Sequence, residues 1–169
     1  AVRLGMDDVA VGDSIAVNGV CLTVIARTTS GFEADVSAET LHCTAGLDAP
    51  GEVNLEKSLR LADRLGGHMV SGHVDGMGEV VAFRPAGEST LLRVRAPKEL
   101  ERYIARKGSV TLQGVSLTVN AVNGPEFDIN LIPHTLASTT LKSLRPGARL
   151  NIEVDMLARY VERLLAASS

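Results

Sequence analysis

The run GGHMVSGHVDGMG at positions 66–78 sets two histidines, His68 and His73, among glycines. Imidazole is the side chain suited to moving a proton near neutral pH, and glycine lets backbone approach a ligand closely. Five residues apart, the two rings would point to opposite faces of a strand or lie about 140° apart around a helix, which is poor geometry for sharing a metal ion. His42, Cys43 and His134 add no recognised ligand spacing, so no metal site is expected. The glycines do not form a G-x-x-x-x-G-K-[ST] phosphate loop either. Cys21 and Ser116 are the other residues of interest, as possible nucleophiles. On residue type alone the plainer readings stand beside these: a strand cysteine as a small buried hydrophobe, a strand serine bonded to backbone, and Lys107 as a solvated charge.

Position distinguishes Cys21 and Ser116 from ordinary strand residues. NGVCLTV (18–24) returns as QGVSLTV (113–119), with cysteine replaced by serine. At the same offset of 95, Phe32 falls on Phe127, Asp35 on Asn130, ETL (39–41) on HTL (134–136), and Thr44 on Thr139. With a slip of one or two residues, PGEVNLE (50–56) meets PGARLNIE (146–153). The chain is an internal duplication, and its period suits two similar domains rather than a solenoid. In the second half the Gly/His run stands about 40 residues ahead of QGVSLTV, whereas only 17 residues precede NGVCLTV. The expectation is a further segment of roughly 25–30 residues ahead of Ala1, where an initiator Met is also missing.

The elements that must hold these residues read as short strands. SIAVNGVCLTVIA and VTLQGVSLTVNAV are rich in Val, Ile, Leu and Thr, and Asn18-Gly19 is a two-residue hairpin signal that Gln113-Gly114 repeats in weaker form. Alternation puts Val20, Leu22 and Val24 on one face and Cys21 and Thr23 on the other; Val115, Leu117 and Val119 likewise oppose Ser116 and Thr118. FEADV, FDINLI, VNLE and LNIEV read as further strands, which predicts an all-β fold of small antiparallel barrels or sandwiches. Short helices are predicted over 56–65 and 97–108. A clearer one runs from Asp155 to 167, with Leu157, Tyr160, Val161, Leu164 and Leu165 forming an apolar stripe. That stripe must bury against its own barrel or against another copy.

Composition narrows the function class. The chain has 169 residues, 17 Lys+Arg against 20 Asp+Glu, and a formal net charge of −3, which argues against a nucleic-acid surface. No apolar run approaches the ~20 residues of a membrane span, and no signal-peptide pattern opens the chain. Cys21 and Cys43 are the only cysteines, which predicts reduced thiols and a cytoplasmic location.

The paired phrases, GGHMVSGHVDG between them and NIEVDMLARYVERLL at the end closely resemble the riboflavin synthase alpha-chain family over essentially the whole chain. The resemblance implies two six-stranded Greek-key barrels, here 1–65 and 66–154, and a C-terminal oligomerisation helix, 155–169. It implies a homotrimer, possible association with lumazine synthase, and no cofactor. The front segment expected ahead of Ala1 corresponds to the short FTGI-type strand with which that family begins. The implied reaction is the dismutation of two 6,7-dimethyl-8-ribityllumazine molecules to riboflavin and 5-amino-6-(ribitylamino)pyrimidinedione, the last step of riboflavin biosynthesis, at a site formed between barrels of neighbouring subunits. The phrase would then be written twice because two copies of one molecule are held face to face.

Carried over residue by residue, the first ligand site falls on Cys21, Leu22 and Thr23 and on the stretch Asp35, Val36, Ser37, Ala38, Glu39 and Thr40, read as strand. The second falls on Gly72, His73 and Val74, on Lys107, on Ser116, Leu117 and Thr118, and on Asn130, Leu131, Ile132, Pro133, His134 and Thr135. Ser14 and Asp155 match positions that line or brace the site. The chemistry requires a base near neutral pKa and polar groups on the ring. The candidates for catalysis are His73 near Ser116 or Thr118 for proton transfer, and Ser116 or Cys21 to add to or position the acceptor ring. Gln113 departs from the Asp or Asn usual before the second Gly, so the bond made by that shorter side chain is in question. The competing reading is a lumazine- or flavin-binding antenna protein without turnover.

Overall fold

Short runs of β-branched and aliphatic residues broken by glycine and proline fold as short strands. In the computed structural model, which describes residues 4–166, the first half forms β1 (Ser14–Val17), β2 (Val20–Thr23), β3 (Ala26–Arg27), β4 (Phe32–Glu33), the short helix α1 (Ala38–Cys43) and β5 (Leu55–Lys57). The second half forms β6 (Gly76–Ala86), β7 (Ser89–Arg95), a 3₁₀ turn at Lys98–Tyr103, β8 (Ser109–Leu112), β9 (Val115–Thr118), β10 (Ala121–Asn123), β11 (Glu126–Leu131), α2 (Pro133–Ser138), a 3₁₀ turn at Thr140–Ser143, β12 (Arg149–Val154) and α3 (Met156–Ala166). No helix among the described residues is long and apolar enough to cross a membrane.

The second half closes into a six-stranded antiparallel barrel. Its strands run in the order β10-β11-β7-β6-β12-β8-β9. The two ends of that row, β9 and β10, are the halves of one bent strand. Val119, between them, still bonds to Gly108 and Lys107 beside β8, whereas the next residue, Asn120, bonds to Asp128 of β11. The ring therefore closes through the backbone itself. Insertion of β12 between β6 and β8 gives the Greek-key crossover. The barrel is filled by aliphatic side chains, among them Leu92, Leu112, Leu131 and Leu150 at 0% exposure, with Phe127 the largest.

The first half follows the same path: Val24 bonds back to Asp13 and Gly12, and Ile25 to Glu33. Its described strands run β5-β1-β2 and β3-β4 and include no counterpart of the β6–β7 hairpin. Its core is correspondingly small, centred on Val9, Ile15, Val17 and Val24.

The two halves meet turn to turn. Asn18 and Gly19 take φ values of 48° and 81°, and Gln113 and Gly114 repeat them at 50° and 80°, so both hairpins turn through two left-handed residues. The glycines press together: a Cβ on Gly114 would lie 2.8 Å from the Gly19 nitrogen, and one on Gly19 would lie 2.7 Å from that of Gly114. Around this contact a polar network repeats under a pseudo-twofold axis. Asn18 Oδ1 accepts from the Asn54 amide (2.9 Å), and Gln113 Oε1 accepts from the Asn151 amide (2.9 Å). Asn54 Nδ2 donates to the Gln113 carbonyl (2.8 Å), and Asn151 Nδ2 donates to that of Asn18 (3.0 Å). The Thr140 amide donates to Asn54 Oδ1 (2.9 Å), and the Ala45 amide to Asn151 Oδ1 (2.7 Å). Gln113 thus makes the bond that its longer side chain had placed in question.

Some predicted elements differ. No helix forms over 56–65, because Leu55–Lys57 pairs with β1 and Arg60 and Asp63 close a turn behind it. The segment 97–108 keeps only the 3₁₀ turn. Asp35–Thr40 is not a strand: Ser37 caps α1 by accepting from the Thr40 amide, and in the second copy Pro133 occupies the first turn of α2. The C-terminal helix forms as expected, with the Leu157 amide donating to Asp155 Oδ1 at its start (3.0 Å); positions 167–169 lie outside the described residues. Arg159 holds α3 to Asp75 (2.7 Å) and to the His73 carbonyl (3.0 Å), while Leu157, Tyr160 and Val161 remain more than half exposed in the single chain.

Asn151→Ala removes three bonds made at the seam by a side chain that is 1% exposed. Urea denaturation should show a loss of roughly 2–4 kcal/mol, the scale of buried groups left unsatisfied. Asn123→Ala, on exposed β10, should cost far less; equal losses would mean that the seam network is not what joins the halves.

Candidate functional site

A cleft of about 1040 Å³ opens beside the seam and takes its walls from both halves: Ser14, Ala16, Cys21 and Glu56 from one, Gly114 and Ser116 from the other, and Gly66–Gly72 across the floor. Register explains why these residues meet. Glu153, Thr111 and Ser116 are direct neighbours across β12, β8 and β9, and Glu56, Ala16 and Cys21 are neighbours across β5, β1 and β2. Each half therefore presents a three-residue row across its sheet, and the chemistry of the rows differs at two of three positions.

The segment 66–72 is clamped along the second row and then onto the first. A Cβ on Gly67 would lie 2.5 Å from Ser116 Oγ, so only glycine allows this approach. His68 Nδ1 lies 2.8 Å from Ser116 Oγ, and its Nε2 lies 3.2 Å from Thr111 Oγ1. Glu153, 2% exposed, accepts from the Ser71 amide and hydroxyl (2.7 Å each) and from the Gly72 amide (2.9 Å). Three donors on one buried carboxylate are the kind of arrangement that offsets its desolvation. The Gly72 carbonyl then accepts from the Cys21 amide (2.8 Å), with Gly72 at φ 76° pressed against Cys21. The Gly/His run thus links the Ser116 position to the Cys21 position. Glu56, the counterpart of Glu153, lies on the cleft wall, where desolvation pushes its carboxyl above the usual range.

The structure brings Ser14, Cys21, Gly72 and Ser116 to this cleft. Leu22 packs on the small core and Leu131 lies inside the large one. Thr23, His73, Lys107 and Thr118 are exposed, as are Asp35, Ser37, Ala38, Glu39, Asn130, Ile132, Pro133 and His134; Val36, Thr40, Val74, Leu117 and Thr135 are half-buried, and none of these lines the cleft of the single chain. Lys107 takes φ 67°, and its amide donates to Val119, so it marks a turn at the base of β8. His73 contributes its carbonyl to Arg159, and the ring that reaches Ser116 is that of His68. From the sequence, His68 is weighed with His73 as a metal pair and not carried into the site, and Thr111, Glu153, Asn54 and Asn151 are not singled out. Glu153, Asn54 and Asn151 carried a signal, since the same duplication that pairs Cys21 with Ser116 also pairs Asn54 with Asn151 and Glu56 with Glu153.

Comparison with known proteins follows the same duplication. A family model described as the lumazine binding domain matches residues 2–58 and again 71–155. Among curated relatives, the riboflavin synthase of Photobacterium phosphoreum is 51% identical over 96% of this chain and 75% of its own length. Those of Mycobacterium tuberculosis (strain ATCC 25618 / H37Rv) and Bacillus subtilis (strain 168) are 48% and 40% identical, over 95% of this chain in each case and 83% and 75% of their own lengths. Among solved structures, LumP complexed with riboflavin matches at a TM-score of 0.80 and 22% identity, over 88% of this chain and 82% of that one. LumP complexed with 6,7-dimethyl-8-(1'-D-ribityl) lumazine matches at 0.77 over 88% and 81%, also at 22% identity, a level that speaks for the fold.

The raised Glu56 carboxyl gives a pH prediction with a definite sign. The folded state holds that proton more tightly than the unfolded one, so this group's contribution to stability is greatest below its unfolded value near ~4.3 and is lost as pH rises through the raised folded value. Glu56→Gln should therefore be more stable than the parent at pH 7, with the difference shrinking as pH falls below 4.3. Denaturation midpoints measured across that range check it, and a difference that does not change with pH contradicts it.

Proposed function

The chain belongs to the riboflavin synthase family, built on the lumazine binding domain, and from that premise we propose that it catalyses the dismutation of two 6,7-dimethyl-8-ribityllumazine molecules to riboflavin and 5-amino-6-(ribitylamino)pyrimidinedione. A four-carbon unit passes from one lumazine to the other, the last step of riboflavin biosynthesis. One observation carries the reading within the molecule: the two halves repeat one frame, and each sets a polar side chain, Cys21 or Ser116, at the same place in it. A reaction between two copies of one substrate needs two related half-sites, and the duplication supplies one on each half, to be brought face to face between neighbouring subunits. Holding two ring systems in register can supply up to roughly 7–11 kcal/mol of the barrier without any cofactor.

In this reading His73, with Ser116 or Thr118, serves proton transfer, and Ser116 or Cys21 positions the acceptor ring or adds to it. The exposed residues around α1 and α2, with Thr23, Lys107 and Thr118, form the ribityl- and pteridine-binding rims, which gain their second wall from a neighbouring subunit. The apolar stripe of α3 supports a homotrimer as the assembly that brings those rims together. The two free cysteines support a cytoplasmic location.

The protein incubated with the ribityllumazine alone should form riboflavin at half the rate of lumazine loss, read by the longer-wavelength flavin absorbance. Ser116→Ala or His73→Ala should cut turnover by roughly 10²-fold or more, the range of acid–base contributions, with lumazine binding little changed. Tight binding without product would replace the enzyme reading with that of a lumazine- or flavin-binding antenna protein. Equal loss of binding and turnover in the variants would make these residues ligand-positioning groups.

A further inference from the structure

The contact of His68 with two hydroxyls goes beyond the roles assigned above. Its ring is held at both nitrogens, Nδ1 by Ser116 at 2.8 Å and Nε2 by Thr111 at 3.2 Å. Thr111 is 1% exposed on β8, directly beside Ser116 on β9, and cannot follow the ring if the segment moves. Gly67 fits the preceding backbone against Ser116 with no space for a Cβ. Glu153, the neighbour of Thr111 on its other side, is occupied by Ser71 and Gly72, which anchors the far end of the same segment. The corresponding row in the first half has Ala16 where Thr111 stands and Cys21 where Ser116 stands, so the first half has no hydroxyl in the Thr111 place.

Resting on the riboflavin synthase reading, we propose that Thr111 is a positioning residue that fixes the His68 tautomer so that the imidazole serves as base to the Ser116 hydroxyl. In neutral imidazole one nitrogen donates and the other accepts, and the partner of one sets the role of the other. Thr111 Oγ1 accepts from Nε2–H, which leaves the Nδ1 lone pair for the Ser116 hydrogen. The Ser116 oxygen then turns its own lone pairs to the cleft and meets the bound ring as an acceptor. When substrate gives up a proton to that oxygen, the original hydroxyl proton passes to Nδ1. The resulting imidazolium stays bonded to Thr111, and the negative charge remains on the substrate. Ser116 recovers a neutral hydroxyl at every stage, and the same path in reverse returns the proton.

The test reads the ring directly. Long-range ¹⁵N–¹H spectra of histidine-labelled protein, with His68 assigned by its loss in His68→Asn, should show the Nε2–H tautomer in the parent. Thr111→Val, close to isosteric, should abolish that preference and lower kcat about tenfold, the scale of one hydrogen bond, with KM little changed. Thr111→Ser should restore both. In a His68→Ala background, Thr111→Val should have no further effect on kcat, because coupled residues are not additive. An Nδ1–H tautomer in the parent overturns the proposal, and so does an equal loss from Thr111→Val with and without His68. If the parent makes no riboflavin, the dismutase reading fails on its own, while the tautomer measurement in the free protein still judges the role of Thr111.

Discussion

The exchange of side-chain amides across the seam is the constraint on which the rest of the molecule depends. Each half lends an asparagine, Asn54 or Asn151, to hold the hairpin carbonyl of the other half together with the amide or carbonyl groups of the loop after its short helix. Two glycines then let the hairpins touch backbone to backbone. Because a buried polar group without a partner costs more than a formed bond contributes, this network tolerates one relative placement of the halves. That placement sets the distance between β2 and β9, and with it the spacing of Cys21 and Ser116 across the cleft. The large barrel could be stable by its own aliphatic core; the small core of the first half leans on the seam.

Much of this was legible in the sequence because duplication turns weak signals into strong ones. Hairpin turns, strand alternation and the equivalence of Cys21 with Ser116 all repeat at one offset, and the terminal helix shows in its own apolar stripe. What escaped notice involved contacts between elements. Asp35–Thr40 reads as strand, yet a Ser37 cap starts a short helix there, as Pro133 does in the second copy. The segment 56–65 has helix-forming composition, but pairing of Leu55–Lys57 with β1 prevails over local propensity. His68 could not be preferred to His73 from spacing, because what singles it out is the register that sets Thr111 beside Ser116. Glu153 and Asn151 could have been found, since polar residues that recur in both copies and alternate with aliphatics in LNIEV would need partners once that strand is buried.

The departures from symmetry carry as much meaning as the symmetry. Backbone and seam are repeated almost bond for bond, including the pattern by which Val24 and Val119 hand the chain from one strand neighbour to the next. The rows across the sheets are not repeated: Glu153–Thr111–Ser116 faces Glu56–Ala16–Cys21. Within these rows the carboxylate is kept and the other two positions change, which alters the chemistry beside the cleft without disturbing the frame.

That division suits a reaction whose two substrates are the same compound. Identical half-sites would bind both molecules equally well but would give neither a distinct role, and the interactions that lower a barrier are those that differ between reactant and transition state. A frame repeated in backbone and amide bonds gives the two proposed half-sites matching geometry. One hydroxyl–imidazole–hydroxyl row against an alanine–cysteine row makes their surroundings unlike. On the roles proposed for Ser116, His68 and Thr111, the lumazine that gives up a proton is the one held by the second half, and the asymmetry absent from the substrates comes from Thr111 and Ser116 in one strand pair and Ala16 and Cys21 in the other.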